Sequence, residues 1–83
     1  MDPKYTYYFF EKDVETCQNV GIDLVNGGLY SRKELDQLWQ SVIDHYNQIN
    51  LSYSIEKKIL KGLANRIRWM VDPEFVDNHP VIE

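Results

Sequence analysis

The chain has 83 residues, of which 43% are hydrophobic and 27% charged, and it carries a net charge of −4. This length predicts one domain with a thin core, and the composition is that of a folded globular domain and excludes a disordered tail. One cysteine excludes an internal disulfide framework and favours a reducing, cytoplasmic location, while the absence of a long apolar run or a signal-peptide pattern excludes a membrane partner.

The N-terminal segment KYTYYFF is compatible with two structures. Its aromatic residues and threonine favour a strand, whereas the preceding Asp-Pro pair is a good helix start. A strand here would have no partner within the chain, unless it paired with a second copy. Because Phe10, Val14, Cys17 and Leu24 follow a helical spacing, we predict a first helix over residues 4–26.

The stretch NGGLYS is either a hairpin turn, a phosphate-binding loop or the end of a helix. A hairpin requires strands on both sides, and only Leu29 and Tyr30 remain before Ser31. The stretch matches neither glycine-rich phosphate motif. We therefore predict that Gly27 or Gly28 ends the first helix in the left-handed conformation.

Two later segments have strong helical periodicity. Residues 32–49 follow a capping-box pattern formed by Ser31 and Glu34, and their apolar residues occupy one face. Residues 54–71 also place their apolar residues on one face of a helix, and Ser52 or Ser54 can cap its start. Gly62 lies inside this predicted helix.

Short connections between amphipathic helices make successive helices antiparallel. The sequence thus predicts an all-α, up-down-up three-helix bundle within one domain of residues 1–83. Its helices are expected at residues 4–26, 32–49 and 54–71, followed by an extended acidic C-terminal tail at 72–83. Residues 51–71 carry a net +4 and the tail carries −4, which we interpret as local neutralisation or solvated charge.

No motif for catalysis, metal binding or cofactor binding is evident. Cys17, His45 and His79 do not stand at metal-ligand spacings. We interpret Cys17 as a small buried hydrophobe, His45 as a packing residue and His79 as exposed. Carboxylate pairs need a cleft for catalysis, and a small bundle offers little room for one. The sequence therefore predicts no enzyme activity, no cofactor and no metal.

Protein recognition is the function that the sequence favours. The aromatic N-terminal segment, a tryptophan outside the apolar stripe of its helix, and apolar residues scattered in the acidic tail all suggest an interface. We predict a non-enzymatic protein-binding module, a small inhibitor or regulator that docks on a larger protein and also forms a homo-oligomer, with a dimer expected. The predicted partner-binding residues are Tyr5, Tyr7, Tyr8, Phe9, Trp69 and Phe75.

The alternative is a regulator that binds nucleic acid through the basic face of the third helix. That face consists of Lys57, Lys58, Lys61 and Arg68. The acidic balance of the chain argues against it, because dedicated DNA binders are usually basic. A further hypothesis is mimicry of nucleic acid by the carboxylates of Asp13, Glu15 and Asp23 on the first helix, together with the acids of the tail.

Overall fold

The computed structural model describes residues 3–51, 54–71 and 73–82. These residues form four helices and a two-stranded antiparallel sheet, so the predicted all-α three-helix bundle is wrong. Helices α2 and α3 make the most extensive contact; α1 and α4 both pack on α3, and the sheet lies beside the start of α2. In chain order the elements are β1 (Lys4–Tyr7), α1 (Glu11–Asn19), β2 (Gly28–Ser31), α2 (Arg32–Gln48), α3 (Ile55–Met70) and α4 (Pro73–Asn78).

The strand β1 pairs with β2 of the same chain, with Tyr5 opposite Tyr30 and Tyr7 opposite Gly28. The predicted helix over residues 4–26 is therefore wrong at its N-terminal end. The expectation that a strand would have no partner failed because β2 lies on the far side of α1 in the sequence. β2 is also longer than its two apolar residues suggest, since Gly28 and the capping residue Ser31 belong to it.

Helix α1 ends at Asn19, with Val20 as its C-cap, several residues before the predicted end. The Gly21 N–H donates to the Gln18 carbonyl at 3.3 Å, and the Ile22 N–H donates to the Cys17 carbonyl at 2.7 Å. Gly21 has a φ of +83°, which completes a Schellman motif. Ile22 then turns back into the core beside Cys17, which explains why it lies outside the helical stripe.

Gly27 does adopt the left-handed conformation, with a φ of +76°, but it does not cap a helix. It belongs to a turn in which the Gly28 N–H donates to the Val25 carbonyl at 3.1 Å. The Gly27 N–H donates to the Tyr7 carbonyl at 2.8 Å. The turn therefore directs the chain into β2 and extends its pairing with β1.

The capping box at the start of α2 is present as predicted. Ser31 Oγ accepts from the Glu34 N–H at 3.1 Å, and the Ser31 N–H donates to Glu34 Oε1 at 3.0 Å. The hydrogen bond from the Ser31 backbone, and then the Lys4 ammonium at 3.1 Å, lower the pKa of Glu34. Helix α3 begins with Ser54 Oγ accepting from the Lys57 N–H at 3.4 Å; the alternative cap, Ser52, lies outside the described residues.

The C-terminal segment is not the predicted extended tail, because it contains α4 and contributes to the core. Phe75 is 1% exposed and belongs to the same buried core as residues of α1, α2 and α3. The helices bury the apolar faces that the sequence predicts. The core that these faces form also includes Phe75 of α4. The core comprises Phe9, Cys17, Ile22, Leu24, Leu35, Leu38, Trp39, Val42, Leu60, Leu63, Ala64, Ile67 and Phe75.

Candidate functional site

The aromatic residues predicted to bind a partner divide into two groups. Tyr5, Tyr8 and Trp69 are exposed, Trp69 and Tyr8 each by 73%. Phe9 and Phe75 are buried in the core, so their assignment as partner-binding residues is wrong. Tyr7 is half-buried and has further contacts within the chain. The exposed members, Tyr5, Tyr8 and Trp69, are the ones that a partner can contact.

Phe9 lies in the connection between β1 and α1, and its contacts hold this connection against the rest of the protein. Its N–H donates to Asn26 Oδ1 at 2.8 Å, and its ring meets the edge of Tyr30 with centroids 6.1 Å apart. Phe75 stacks on the imidazole of His79, with ring centroids 3.6 Å apart and planes within 4°. Both rings therefore pack inside the protein. The sequence alone did not distinguish aromatic residues that pack in the core from those that bind a partner.

Three exposed aromatic side chains, Tyr8, Phe10 and Trp69, surround one concave pocket of about 360 Å³. We call this set the aromatic face. Leu63 and Met70 of α3 add apolar surface to its lining, and Asp13 and Arg66 add a charged part. The structure thus brings together Tyr8 and Trp69, two of the predicted residues, although they are far apart in the sequence.

Phe10 was missed as a surface residue, because its spacing placed it on the apolar stripe of a long first helix. In the structure it is the N-cap residue of α1, with φ −70° and ψ 148°. This extended backbone turns its ring away from the core, and Phe10 is 63% exposed. The Asp and Glu residues of the first turn of α1 were the available signal that the helix begins later.

An ion pair between Asp13 and Arg66 lines the same pocket as the aromatic face. Arg66 Nη2 bonds to the Asp13 carboxylate, whose side chain is only 3% exposed. The Arg66 guanidinium also lies over the Phe10 ring, 4.7 Å from its centroid. Gly62 leaves the space for this arrangement, because a Cβ there would lie 3.2 Å from Arg66 Nη1. Because the Asp13 carboxylate is buried in this ion pair, its predicted role as an exposed group of a nucleic-acid mimic is wrong. Asp23, predicted to lie on the same helix, lies between α1 and β2.

The pocket continues in both directions along α3. Towards the start of the helix, a concavity of about 650 Å³ shares Phe10 and Arg66 with it and extends to Lys12 and Lys58. On the other side of Trp69, a smaller one of about 350 Å³ reaches Val76 of α4. The pocket of the aromatic face therefore borders two further concavities, each of which shares at least one lining residue with it.

The cations predicted to bind nucleic acid are not equally available. Lys57 Nζ donates to the Ile49 carbonyl at 2.9 Å and lies 4.6 Å from the Tyr46 ring centroid. Arg68 donates through Nε to the carbonyl of His79, and its guanidinium is 5.7 Å from the Trp69 centroid. The remaining two cations of the set differ in exposure: Lys58 is exposed and Lys61 half-buried.

A second groove, of about 1020 Å³, lies between β1, the start of α2, and α4. Tyr5 and Tyr7 line one wall, and His79 with Asp36 lines the other. His79, predicted to be exposed, is 9% exposed. Its Nδ1 lies 2.8 Å from the Phe75 carbonyl oxygen and its Nε2 bonds to Asp36. Both ring nitrogens therefore lie against acceptor oxygens, and these contacts link the residue after α4 to α2.

The other groups with chemical potential are also held in the structure. Cys17 is fully buried, and burial, followed by the negative charge of Asp13, raises the pKa of its thiol to about 11. His45 Nδ1 lies 3.0 Å from the Ser41 carbonyl oxygen on the same helix. Among the described residues, no group of three or more His, Cys, Asp or Glu side chains is arranged to hold a metal ion.

Comparisons with protein-family models, with curated proteins and with solved structures find no match to this chain. Within residues 3–51, 54–71 and 73–82, no helix has both the length and the apolar character needed to cross a membrane. The feature that bears on function is therefore the geometry of the aromatic face and its pocket.

Proposed function

We propose that this chain is a non-enzymatic protein-binding module, a small inhibitor or regulator that docks on a larger protein through the aromatic face. The observation that carries the proposal is the convergence of Tyr8, Phe10 and Trp69 around one pocket that Leu63 and Met70 also line. These side chains come from the β1–α1 connection and from the end of α3. Trp69 is far from Tyr8 and Phe10 in the sequence, so the fold brings it to the same pocket.

Aromatic side chains in this setting resemble the hot spots of protein interfaces. Trp and Tyr bury a large area while immobilising few torsions, and they dominate binding when they enclose an apolar pocket. Trp69 is flanked by concavities on both sides, so a partner can cover both sides of its ring. Covering three such residues removes substantial apolar area from water, which favours association.

The non-enzymatic part of the proposal is supported by how the reactive groups are used. Cys17 lies in the core, and His79 is bonded at both ring nitrogens. A general base needs a free nitrogen within reach of the proton that it removes. In the larger groove, His79 and Asp36 instead join α4 to α2, which is a structural role.

Two further expectations accompany the proposal. A reducing, cytoplasmic location suits a chain whose single cysteine is buried. Homodimerisation would cover the same aromatic face, so it competes with a heterologous partner for one surface. Sedimentation velocity of the wild type and of Trp69→Ser separates the two, because a dimer formed through this face becomes a monomer in the variant.

Site-specific cross-linking tests the proposal. A photoreactive p-benzoylphenylalanine replaces Trp69 or Phe10, both exposed, and the protein is irradiated in lysate of its native host. Leu29, which is 61% exposed on β2, is the matched control position. We expect a discrete protein adduct from positions 69 and 10, competed by unlabelled wild type but not by Trp69→Ser, and no such adduct from position 29. The same adducts from all three positions would contradict the proposal.

A further inference from the structure

We propose that Asn26 is a site of spontaneous conversion to isoaspartate, and that the pairing of β1 with β2 controls the rate of this conversion. Asn26 and Gly27 are consecutive residues in the turn that leads into β2. Three features of this turn lead to the proposal: the chemistry of the Asn-Gly pair, its place at the surface, and the hydrogen bonds that hold both reacting groups.

The chemistry needs only the chain itself and water. The backbone nitrogen of Gly27 attacks the side-chain carbon Cγ of Asn26, so an N–Cγ bond forms and the Cγ–Nδ2 bond breaks. The side-chain nitrogen leaves as ammonia, with the proton of the Gly27 N–H, and a five-membered succinimide remains. Water then opens either carbonyl of this ring, which gives aspartate or isoaspartate. Glycine favours the first step, because it has no side chain to shield its backbone nitrogen.

The Asn-Gly pair lies at the surface, in a turn that favours glycine. Asn26 is exposed and Gly27 is half-buried. Gly27 has a φ of +76°, a conformation that is costly for a residue with a side chain. A Cβ at this position would also lie 3.3 Å from Tyr8 Cε1. The turn therefore selects the residue that makes its neighbour chemically labile.

Two hydrogen bonds oppose the reaction in the folded protein. The Gly27 N–H donates to the Tyr7 carbonyl at 2.8 Å, and the nitrogen must give up this proton when it attacks. Asn26 Oδ1 accepts from the Phe9 N–H at 2.8 Å, which restricts the rotation that brings Cγ to the Gly27 nitrogen. Tyr7 ends β1, and Phe9 lies in the connection that follows. We therefore expect the reaction to proceed from a state in which this segment has detached from the turn.

Such an open state is accessible because the sheet is small. β1 and β2 have four residues each, and a two-stranded ribbon contributes little stability of its own. Lys4, Tyr5 and Thr6 of β1 are exposed. Short, exposed elements open locally at a lower free energy than the whole domain. The observed rate is thus the rate in the open turn multiplied by the fraction of molecules in which the turn is open.

Isoaspartate at position 26 prevents the turn from closing as before. It inserts one additional carbon into the main chain, and the carboxylate then branches directly from Cα. The Phe9 N–H loses the acceptor that Asn26 Oδ1 provides in the native turn. The ring of Tyr8, the preceding residue, lies beside Gly27. The modification consequently also reaches the aromatic face.

Incubation of the purified full-length protein at mildly alkaline pH, followed by peptide mapping with electron-transfer dissociation, tests the proposal. Asn50 is the internal control, because it is also exposed but precedes a leucine. We expect deamidation of Asn26, with isoaspartate among the products, to be about tenfold or more faster than deamidation of Asn50. Thr6→Gly weakens β1 outside the turn and should raise the rate at Asn26 about fivefold, without a change at Asn50. Unfolding in urea should raise it further, and Asn26→Gln should remove the signal.

Each possible outcome decides one part of the proposal. A rate at Asn26 that does not exceed the rate at Asn50 would overturn the modification site. Equal rates at Asn26 in the folded wild type, in Thr6→Gly and in urea would overturn its control by the pairing of β1 with β2. The isoaspartyl form, isolated by ion exchange, should unfold at a lower urea concentration than Asn26→Asp, which has the same charge. Equal midpoints would overturn the predicted damage to the turn.

Discussion

The ion pair between Asp13 and Arg66 should respond very differently to removal of each partner. The Asp13 side chain is 3% exposed, whereas that of Arg66 is 43% exposed. In Arg66→Met the carboxylate stays buried without its cation. Breaking a buried pair in this way costs about 3–5 kcal/mol, and we expect about 3 kcal/mol because water reaches the guanidinium side of the pair. In Asp13→Asn the guanidinium turns to water, and the expected loss is about 1 kcal/mol.

Urea unfolding followed by far-ultraviolet circular dichroism measures both variants and the double variant. For a domain of this size, a loss of about 3 kcal/mol corresponds to a fall in Tm of roughly 12–24 °C. The double variant should lose less than the sum of the two single losses, with a coupling of about 1–2 kcal/mol. The exposed pair of Lys4 and Glu34, at 3.1 Å, is the matched control, and Lys4→Met should cost less than about 1 kcal/mol. Equal losses for Asp13→Asn and Arg66→Met would refute the reasoning.

Three further variants test the corrections to the predicted fold, and a fourth tests the burial of Cys17. Gly21→Ala and Gly27→Ala should each lower the free energy of unfolding by about 1–2 kcal/mol in urea titrations, because both positions have a positive φ; a neutral effect would contradict the left-handed conformation. Phe75→Ala should cost about 3–5 kcal/mol, measured against exposed Val81→Ala as control, and a loss below 1 kcal/mol would mean that α4 is not part of the core. Burial raises the pKa of Cys17 to about 11, so the unfolded thiol ionises first, near its ordinary pKa of 9. Stability should fall as pH rises between 9 and 11, and this part of the fall should disappear in Cys17→Ala.

Helices α2 and α3 could be predicted from sequence because their signals are local. The capping box of Ser31 and Glu34 and the apolar periodicity that follows are contained within a few turns of one helix. The structure has α2 ending at Gln48 and α3 spanning Ile55–Met70, close to the predicted ranges. No distant contact is needed to specify either element.

The first third of the chain could not be predicted in the same way, because its structure depends on distant contacts. β1 becomes a strand through its pairing with β2, which lies beyond α1. Gly21 terminates α1 through its left-handed conformation, whereas Gly27 and Gly28 belong to the turn into β2. The local signals for the bounds of α1 are Gly21 and the acids of its first turn, and the apolar stripe extends beyond both.

The candidate site shows the same division between local and distant information. Exposure of Trp69 could be expected from its position outside the apolar stripe of α3. The pocket that it forms with Tyr8 and Phe10 could not, because it depends on where the β1–α1 connection crosses α3. Likewise, the tail gave no periodic signal for α4, which is only six residues long and is held by the burial of Phe75 and His79.

The burial of Phe75 has a consequence for local opening of the fold. Helix α4 is only six residues long and packs on α3, and Phe75 places its ring in the shared core. If α4 detaches, Phe75 and the core residues that it covers become exposed to water together. Hydrogen exchange of the α4 amides should therefore report on opening of the core at this end of the molecule.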